Sequence, residues 1–468
     1  MTSGVLVAPG ARLVDAASGT SLHGDELEAR IATMAAGFAS LPAGPVFLLA
    51  PLDLTSVLRY LGGWTAGRTV ALLDPGLAPE TLADLIRRYR PVAVLGGPEE
   101  EAPPPYRPVT LPGLGSAWLR GTEGDLVAPH GNLAVLLATS GSTGDPKLVR
   151  LSRHALAHNA AAIAASLRLD PDETAPTSLP LYYSYGLSVL NSHLAAGAGV
   201  IVVDGGVLAR PFWAAVDHYQ GTSLAGVPHH YEMLSRIRWD PASHASLHTL
   251  TQAGGRMRPD LIEAFRVRID AGGGDMYVMY GQTEAAPRMT TLPAERLADK
   301  LGSVGPAVPG GRLAVLTAED QETDEPGVTG EVIYYGPNVM MGYAHGAEDL
   351  PRGDEHAGRL ATGDLGHLDK EGHLWLTGRL KRIAKVFGIR VNLDDIERLL
   401  AEHGPVAAVA GPDRVVIWSE GTDEAARRTL TTAAAERLRL HRSGFDVRSI
   451  EKLPLLPSGK IDYRALEG

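Results

Sequence analysis

Residues 138–150, ATSGSTGDPKLVR, decide how the rest of the chain is read. Ser140, Gly141, Ser142, Thr143 and Gly144 form one uninterrupted run, with Thr139 before it and Lys147 just after. Residues this small let backbone N–H groups converge on an anion, hydroxyls add donors, and the lysine adds charge. The apolar run at 133–137 predicts a buried strand ahead of this loop, and residues 154–165 predict a helix behind it. A polar, glycine-bearing loop leaving a buried strand is where open α/β sheets bind ligands. The loop does not end in Gly-Lys-Ser/Thr, so it is not a Walker A motif.

Working outward, segments 46–50, 69–73 and 92–95 are short apolar runs, and 24–40, 54–67 and 79–90 between and before them have helical spacing. Strand and helix in alternation predict a parallel sheet with helices on its faces. Residues 97–125 are rich in Pro, Gly and Glu and read as irregular. The pattern resumes with strands at 200–203, 222–226, 249–253 and 276–280, which implies a second α/β layer. Beyond Gly302 the strands are short and turn-separated (313–316, 330–335, 373–376), the texture of a small β-rich subdomain. The basic run 378–382 follows a strand and suits a domain junction. The expected fold class is α/β, with a large N-terminal domain over 1–379 and a small α+β domain over 380–468.

The bulk numbers bound the function. At 468 residues the chain exceeds one ordinary core. A net charge of −11 argues against broad binding to nucleic acid or acidic membrane. A polyanionic substrate would then need local charge and backbone dipoles. There is no cysteine, which excludes disulfides, thiolate metal sites and cysteine nucleophiles. The N-terminus lacks the pattern of a signal peptide, and no segment is long and apolar enough to span a bilayer, so a cytoplasmic enzyme is expected. His154 and His158 are spaced i, i+4 but have no third ligand nearby, and read as a polar helix face.

Five segments now stand in order: TSGSTGDPK at 139–147, YGQTE at 280–284, TGD at 362–364, GRLKRIAKVFGIRVNLDDIE at 378–397 and LPSGKIDYRAL at 456–466. Together they resemble the motif set of the adenylate-forming superfamily of acyl-CoA synthetases, peptide-synthetase adenylation domains and luciferases. The resemblance implies a large N-terminal and a small mobile C-terminal domain, with ATP and Mg²⁺ as cofactors. It implies two half-reactions: an acid's carboxylate attacks the α-phosphorus of ATP, and an acceptor then takes the acyl group and releases AMP.

The same resemblance assigns roles. Residues 139–144 and Lys147 would cradle the β- and γ-phosphates. Gly254 and Gly255 would line the adenine pocket, with Tyr280 against the base and Gly281 and Gln282 beside it. Thr283 would bond the α-phosphate and Glu284 would hold Mg²⁺. Asp364 would accept both ribose hydroxyls, which one carboxylate can do, with Arg379 as its companion. Lys460 would be the mobile catalytic lysine and Lys381 the hinge.

The segment Leu179–Gly186 resembles the one shaping the acid pocket, with Tyr182, Tyr183, Tyr185 and Gly186 as its candidate residues and His229 at its border. Tyr183 stands where many relatives carry histidine. No aspartate is present to meet an ammonium group, which disfavours ordinary α-amino acids. The tyrosines fit either a flat slot for an aryl acid or the core. The expected substrate is a small-molecule acid. The acceptor would be external (CoA, a free carrier protein or an amine), with no nucleic-acid or membrane partner and a monomer or dimer as the assembly. Two other readings are nitrite as the activated acid, for diazotisation of an aryl amine, and a degenerate nucleotide-binding protein.

Overall fold

The computed structural model describes residues 6–97, 102–121, 126–138, 147–380, 382–387, 389–438, 440–456 and 460–467. The chain divides into two compact units. The first comprises Met1–Leu301, Ala307–Arg312 and Tyr335–Leu360; the second comprises Gly302–Pro306, Leu313–Tyr334 and Ala361–Gly468.

The first unit holds three sheets. The largest has eight strands, in the order Gly342–Ala344, Leu148–Ser152, Leu133–Ala138, Val70–Leu73, Val46–Leu49, Ala93–Leu95, Gly115–Arg120 and Tyr106–Leu111. Its central four strands are parallel, as the strand–helix alternation predicts. They are buried along most of their length, which is why they read as unbroken apolar runs. Both edges are antiparallel.

One edge corrects the sequence reading. Within 97–125, taken as irregular, Tyr106–Leu111 and Gly115–Arg120 form a hairpin. Pro108 obscured it, because proline removes a ladder donor, yet on the outermost strand that loss costs no hydrogen bond. Tyr106 and Trp118 anchor the hairpin in the core with Phe47, Tyr89 and Val94.

A second sheet orders Thr174–Pro176, Gly199–Val202, Arg12–Asp15 and Ser21–His23. The third orders Ser223–Gly226, Thr249–Gln252, Asp275–Gly281 and Arg288–Leu292. Its first three strands are parallel and its last folds back antiparallel. That reversal carries the YGQTE motif.

The second unit has a five-stranded sheet in the order Glu322–Thr323, Arg312–Leu316, Thr329–Tyr335, Arg359–Leu368 and Leu374–Arg379. After it come a hairpin of Ile383–Val386 and Ile389–Asn392, the helix Leu393–Leu400, and a three-stranded sheet backed by the helix Glu424–Leu438. Ala384, Ile396, Ile417, Leu430 and Val447 share one buried core. Arg382 is clamped here by Asp394 and Glu397, while the Tyr463 hydroxyl donates to Glu397 at 3.1 Å and the Tyr463 ring lies under the guanidinium.

Candidate active site

The strand Asp275–Gly281 ends in a single 3₁₀ turn, Thr283–Ala285, before Arg288–Leu292 runs back. Five hydrogen bonds hold this reversal closed. The Gln282 N–H donates to the Pro287 carbonyl at 2.9 Å. Any side chain at Gly281 would collide with that same carbonyl, so only glycine fits. The buried Asn338 amide donates to Ala285 O at 2.6 Å and Arg288 O at 2.9 Å. Asn159, also fully enclosed, donates to Arg288 O at 2.8 Å and accepts from Arg288 N at 3.1 Å. Thr283 and Glu284 therefore project from a backbone with little freedom.

Glu284 is met by a residue outside the quoted motifs. The Tyr343 hydroxyl donates to Glu284 Oε1 at 2.7 Å, and Lys147 Nζ lies 3.4 Å from the centre of the Tyr343 ring. Tyr343 sits on an edge strand registered against the strand that begins just after Lys147. One tyrosine thus positions both the carboxylate and the lysine, the latter through a cation–π contact. Burial, with the Glu284 charge adding to it, pushes the Tyr343 phenol well above its usual range, so it stays a donor. With Tyr343 on Oε1, the second carboxylate oxygen offers the hard donor that Mg²⁺ prefers. No cluster of three or more acidic or histidine ligands occurs among the described residues. That donor set fits a magnesium ion completed by phosphate and water.

The segment Leu179–Gly186 reaches the same turn. Ser184 Oγ and Thr283 Oγ1 are 3.1 Å apart, a hydrogen bond linking the start of the helix Ser184–Ala195 to the YGQTE turn. Tyr183 precedes that helix and presses against Gly254, where a side chain would strike its hydroxyl; Gly254 also has φ +84°, so glycine is required twice over. Gly255 accepts a 2.8 Å bond from Gln252 Nε2. Tyr185 is core: it is 3% exposed and bonded to Thr251 Oγ1 at 2.8 Å. Gly186 lies in the first turn of the helix. Tyr182 faces Asp74, and burial plus that negative charge push its phenol up to about 12. His229 lies in the first turn of the helix Pro228–Arg236, half-buried, beside His230, whose pKa is pushed down to about 4 by burial with His229 adding to it.

Arg288, which the sequence reading passed over, lies under this segment. It is 2% exposed, and its guanidinium carbon sits 5.0 Å from the centre of the Tyr185 ring. As an arginine opening an ordinary-looking strand, it carried no local signal.

In the second unit, Asp364 and Arg379 face each other across paired strands, with Arg379 Nε 3.1 Å from Asp364 Oδ1. The Asp364 N–H is turned in by Thr362 Oγ1 at 3.1 Å. The backbone carbonyl of Lys460 accepts from Leu456 N–H at 2.7 Å. The structure thus gathers Lys147, Thr283, Glu284, Tyr183 and Gly254 within the first unit, and Asp364, Arg379 and Lys460 belong to the second. Thr139, Ser140, Gly141, Ser142, Thr143, Gly144 and the hinge candidate Lys381 lie outside the described residues.

Residues 7–344 match the family of AMP-binding enzymes. The chain belongs to that family. Among AMP-binding enzymes, indoleacetate–CoA ligase of Aromatoleum aromaticum is 31% identical over 337 residues, covering 69% of this chain and 64% of that protein. Oxalate–CoA ligase of Arabidopsis thaliana is 31% identical over 347 residues, covering 71% and 66%. The matched region spans just under two thirds of these curated relatives. The o-succinylbenzoate CoA synthetase from Bacillus subtilis, solved with its acyl-adenylate intermediate, superposes with a TM-score of 0.75 at 21% identity over 97% of this chain and 95% of that one. At that identity the likeness establishes the fold: a large α/β portion followed by a smaller α+β one. Among the described residues, no helix is long and apolar enough to cross a membrane.

Proposed function

We propose that this AMP-binding enzyme is an AMP-forming acid ligase that activates an organic acid with ATP and passes the acyl group to an external thiol. The observation carrying this reading is the convergence on one braced turn: Thr283 tied to Ser184, and Glu284 tied through Tyr343 to Lys147. A hydroxyl, a carboxylate and a cation side by side suit a magnesium-bound triphosphate, and little else in the first unit explains why one tyrosine serves both charges.

In the first half-reaction a carboxylate oxygen attacks the α-phosphorus, the Pα–O bond to the β-phosphate breaks, and pyrophosphate leaves. Thr283 orients the α-phosphate. Glu284 holds Mg²⁺, which neutralises phosphate charge when bound. Lys147 and residues 139–144 take the leaving pyrophosphate, Tyr280 with Gly254 and Gly255 bounds the adenine, and Asp364 with Arg379 holds the ribose. Lys460 places a cation between attacking carboxylate and α-phosphate. At ~4 Å and an effective dielectric of ~20 that attraction is about 4 kcal/mol, roughly a thousandfold in rate. In the second half-reaction a thiolate attacks the acyl carbon and AMP departs. Residues 380–468 would swing about Lys381 between the two steps, as hinge residues at element ends do. CoA is the acceptor best supported by the relatives' names, and the cytoplasm is the compartment supplying it.

Acid-dependent pyrophosphate release from ATP tests the reading. Lys460→Ala should lower it about a thousandfold while leaving thioester formation from a supplied acyl-adenylate intact. Undiminished release in Lys460→Ala, or release with no acid or nitrite in a broad panel, would refute it.

A further inference from the structure

Arg288 is a fully enclosed arginine that only phenols answer, with no anion paired to it among the described residues. Its Nε and Nη1 have no hydrogen-bond partner, and no carboxylate is paired with it. Its surroundings are two phenols, Tyr183 and Tyr185, whose rings lie 6.4 Å apart, and the face of the Tyr185 ring. An enclosed cation without an anion is costly. Burial lowers the affinity of Arg288 for its proton, and the phenols offset this only in part. Nor is the side chain a stray from a flexible segment. Asn159 and Asn338 fix its backbone on both sides, five residues beyond Thr283 on the same turn.

A cavity of about 20 Å³ adjoins it, lined in part by Tyr185, Ser188, His193, Thr251, Met279 and Arg288. That is room for about one water. His193 Nε2 also lacks a partner there, and burial holds its pKa down to about 4, so the ring is neutral and does not compete for an anion. An acid group reaching past Tyr183 would meet the Arg288 guanidinium beside a cavity that offers little further room.

Resting on the acid-adenylation reading, we propose that the activated acid is short and carries a second anionic group, a carboxylate or an isostere of it, which Arg288 receives beside the Tyr183 phenol. The guanidinium fork offers two parallel donors to such a group. The reacting carboxylate is left at the Thr283 end of the same turn.

The test uses the whole chain with ATP and Mg²⁺ and reads pyrophosphate release for matched pairs: malonate against propionate, succinate against butyrate, with nitrite as a separate arm. The expected result is a preference for the dianionic member of at least one pair by about a hundredfold or more in kcat/KM. Arg288→Met should remove that preference, lowering the dianion's kcat/KM about a hundredfold and leaving the monoanion's unchanged or higher. Arg288→Lys should keep part of it. A merely structural arginine would depress both members alike, so the ratio separates the two roles. Equal or better turnover of the monocarboxylates, or of nitrite alone, overturns this inference while leaving acid adenylation standing. An unchanged ratio in Arg288→Met also overturns it. Silence across these five substrates overturns this inference, whereas acid adenylation itself falls only with silence across the broad panel of acids.

Discussion

Arg150 and Arg288 are both nearly fully enclosed, and both sit on strands of the first unit. Around Arg150 the chain pairs both terminal nitrogens and leaves Nε without a partner. Nη1 donates to the carbonyls of Arg352 and Gly353, Nη2 to that of Met341, and Glu355 closes an ion pair. Around Arg288 there are aromatic faces and phenols, and two donors remain unmet. The first arrangement is neutralised by folding: it ties the 335–360 segment to the strand that begins at Leu148. The second is left open by folding, and an open charge in a dry place is what a site for a small anion looks like before the anion arrives.

The sharpest way to break this comparison is to remove the neutralised arginine. Arg150→Met removes three hydrogen bonds and strands the Arg352 and Gly353 carbonyls, while Met341 O keeps the Glu355 N–H and the freed Glu355 carboxylate, 42% exposed, rehydrates. At about 1 kcal/mol for each lost bond, urea denaturation should show a loss of about 3 kcal/mol; a loss below about 1 kcal/mol would mean the anchor is decorative.

The next prediction concerns pH and the neutrality of the Arg288 cavity. His193 has its pKa lowered from 6.5 to about 4 in the fold, so between those values the unfolded chain binds a proton that the folded chain refuses. Stability should be full above about pH 6.5 and fall as pH drops toward 4, by up to about 1.4 kcal/mol per unit. His193→Asn should flatten that part of the profile. An unflattened curve would mean another group sets it.

A smaller effect is expected at the other charge pair of the site. Tyr343→Phe keeps the ring beneath Lys147 and deletes only the bond to Glu284, so kcat/KM for Mg·ATP should fall about tenfold, near 1.4 kcal/mol. The smallest is the most diagnostic. Arg288→Met should leave unfolding stability unchanged or raise it by about 1 kcal/mol, since an unanswered buried charge is replaced by an apolar chain of similar length. Opposite signs for the same substitution at 150 and 288 would sharpen the contrast; equal losses would erase it.

What the sequence showed and hid follows from where the information sits. Short apolar strands between amphipathic helices over 46–95 were legible because both faces of the central sheet are covered. TSGSTGDPK and YGQTE were legible because their residue types are unusual in that order. Gly254 was legible as a glycine but not as the surface that Tyr183 leans on. Arg288, Tyr343, Asn159 and Asn338 were not legible at all. Each is an ordinary residue on a strand, helix or turn, and its meaning comes from partners far off in the sequence, 129 residues for Asn159 and Arg288 and more for Tyr343 and Lys147. Tyr182 and Tyr185 had been grouped with Tyr183, yet one faces Asp74 and the other is core, a divergence that neighbouring positions at a helix start produce routinely.

The two asparagines that close the turn from Gly281 to Arg288 have a consequence for how this enzyme could change. They fasten Thr283 and Arg288 to the same short piece of backbone, so under the proposed roles the span between the phosphate end and the far end of the acid is built in as a gauge. Substitutions in the walls would alter width and polarity, but length would respond only to an insertion or deletion within those eight residues. A lineage selecting a longer or shorter acid would therefore leave its mark there, as a change in residue count rather than in residue type.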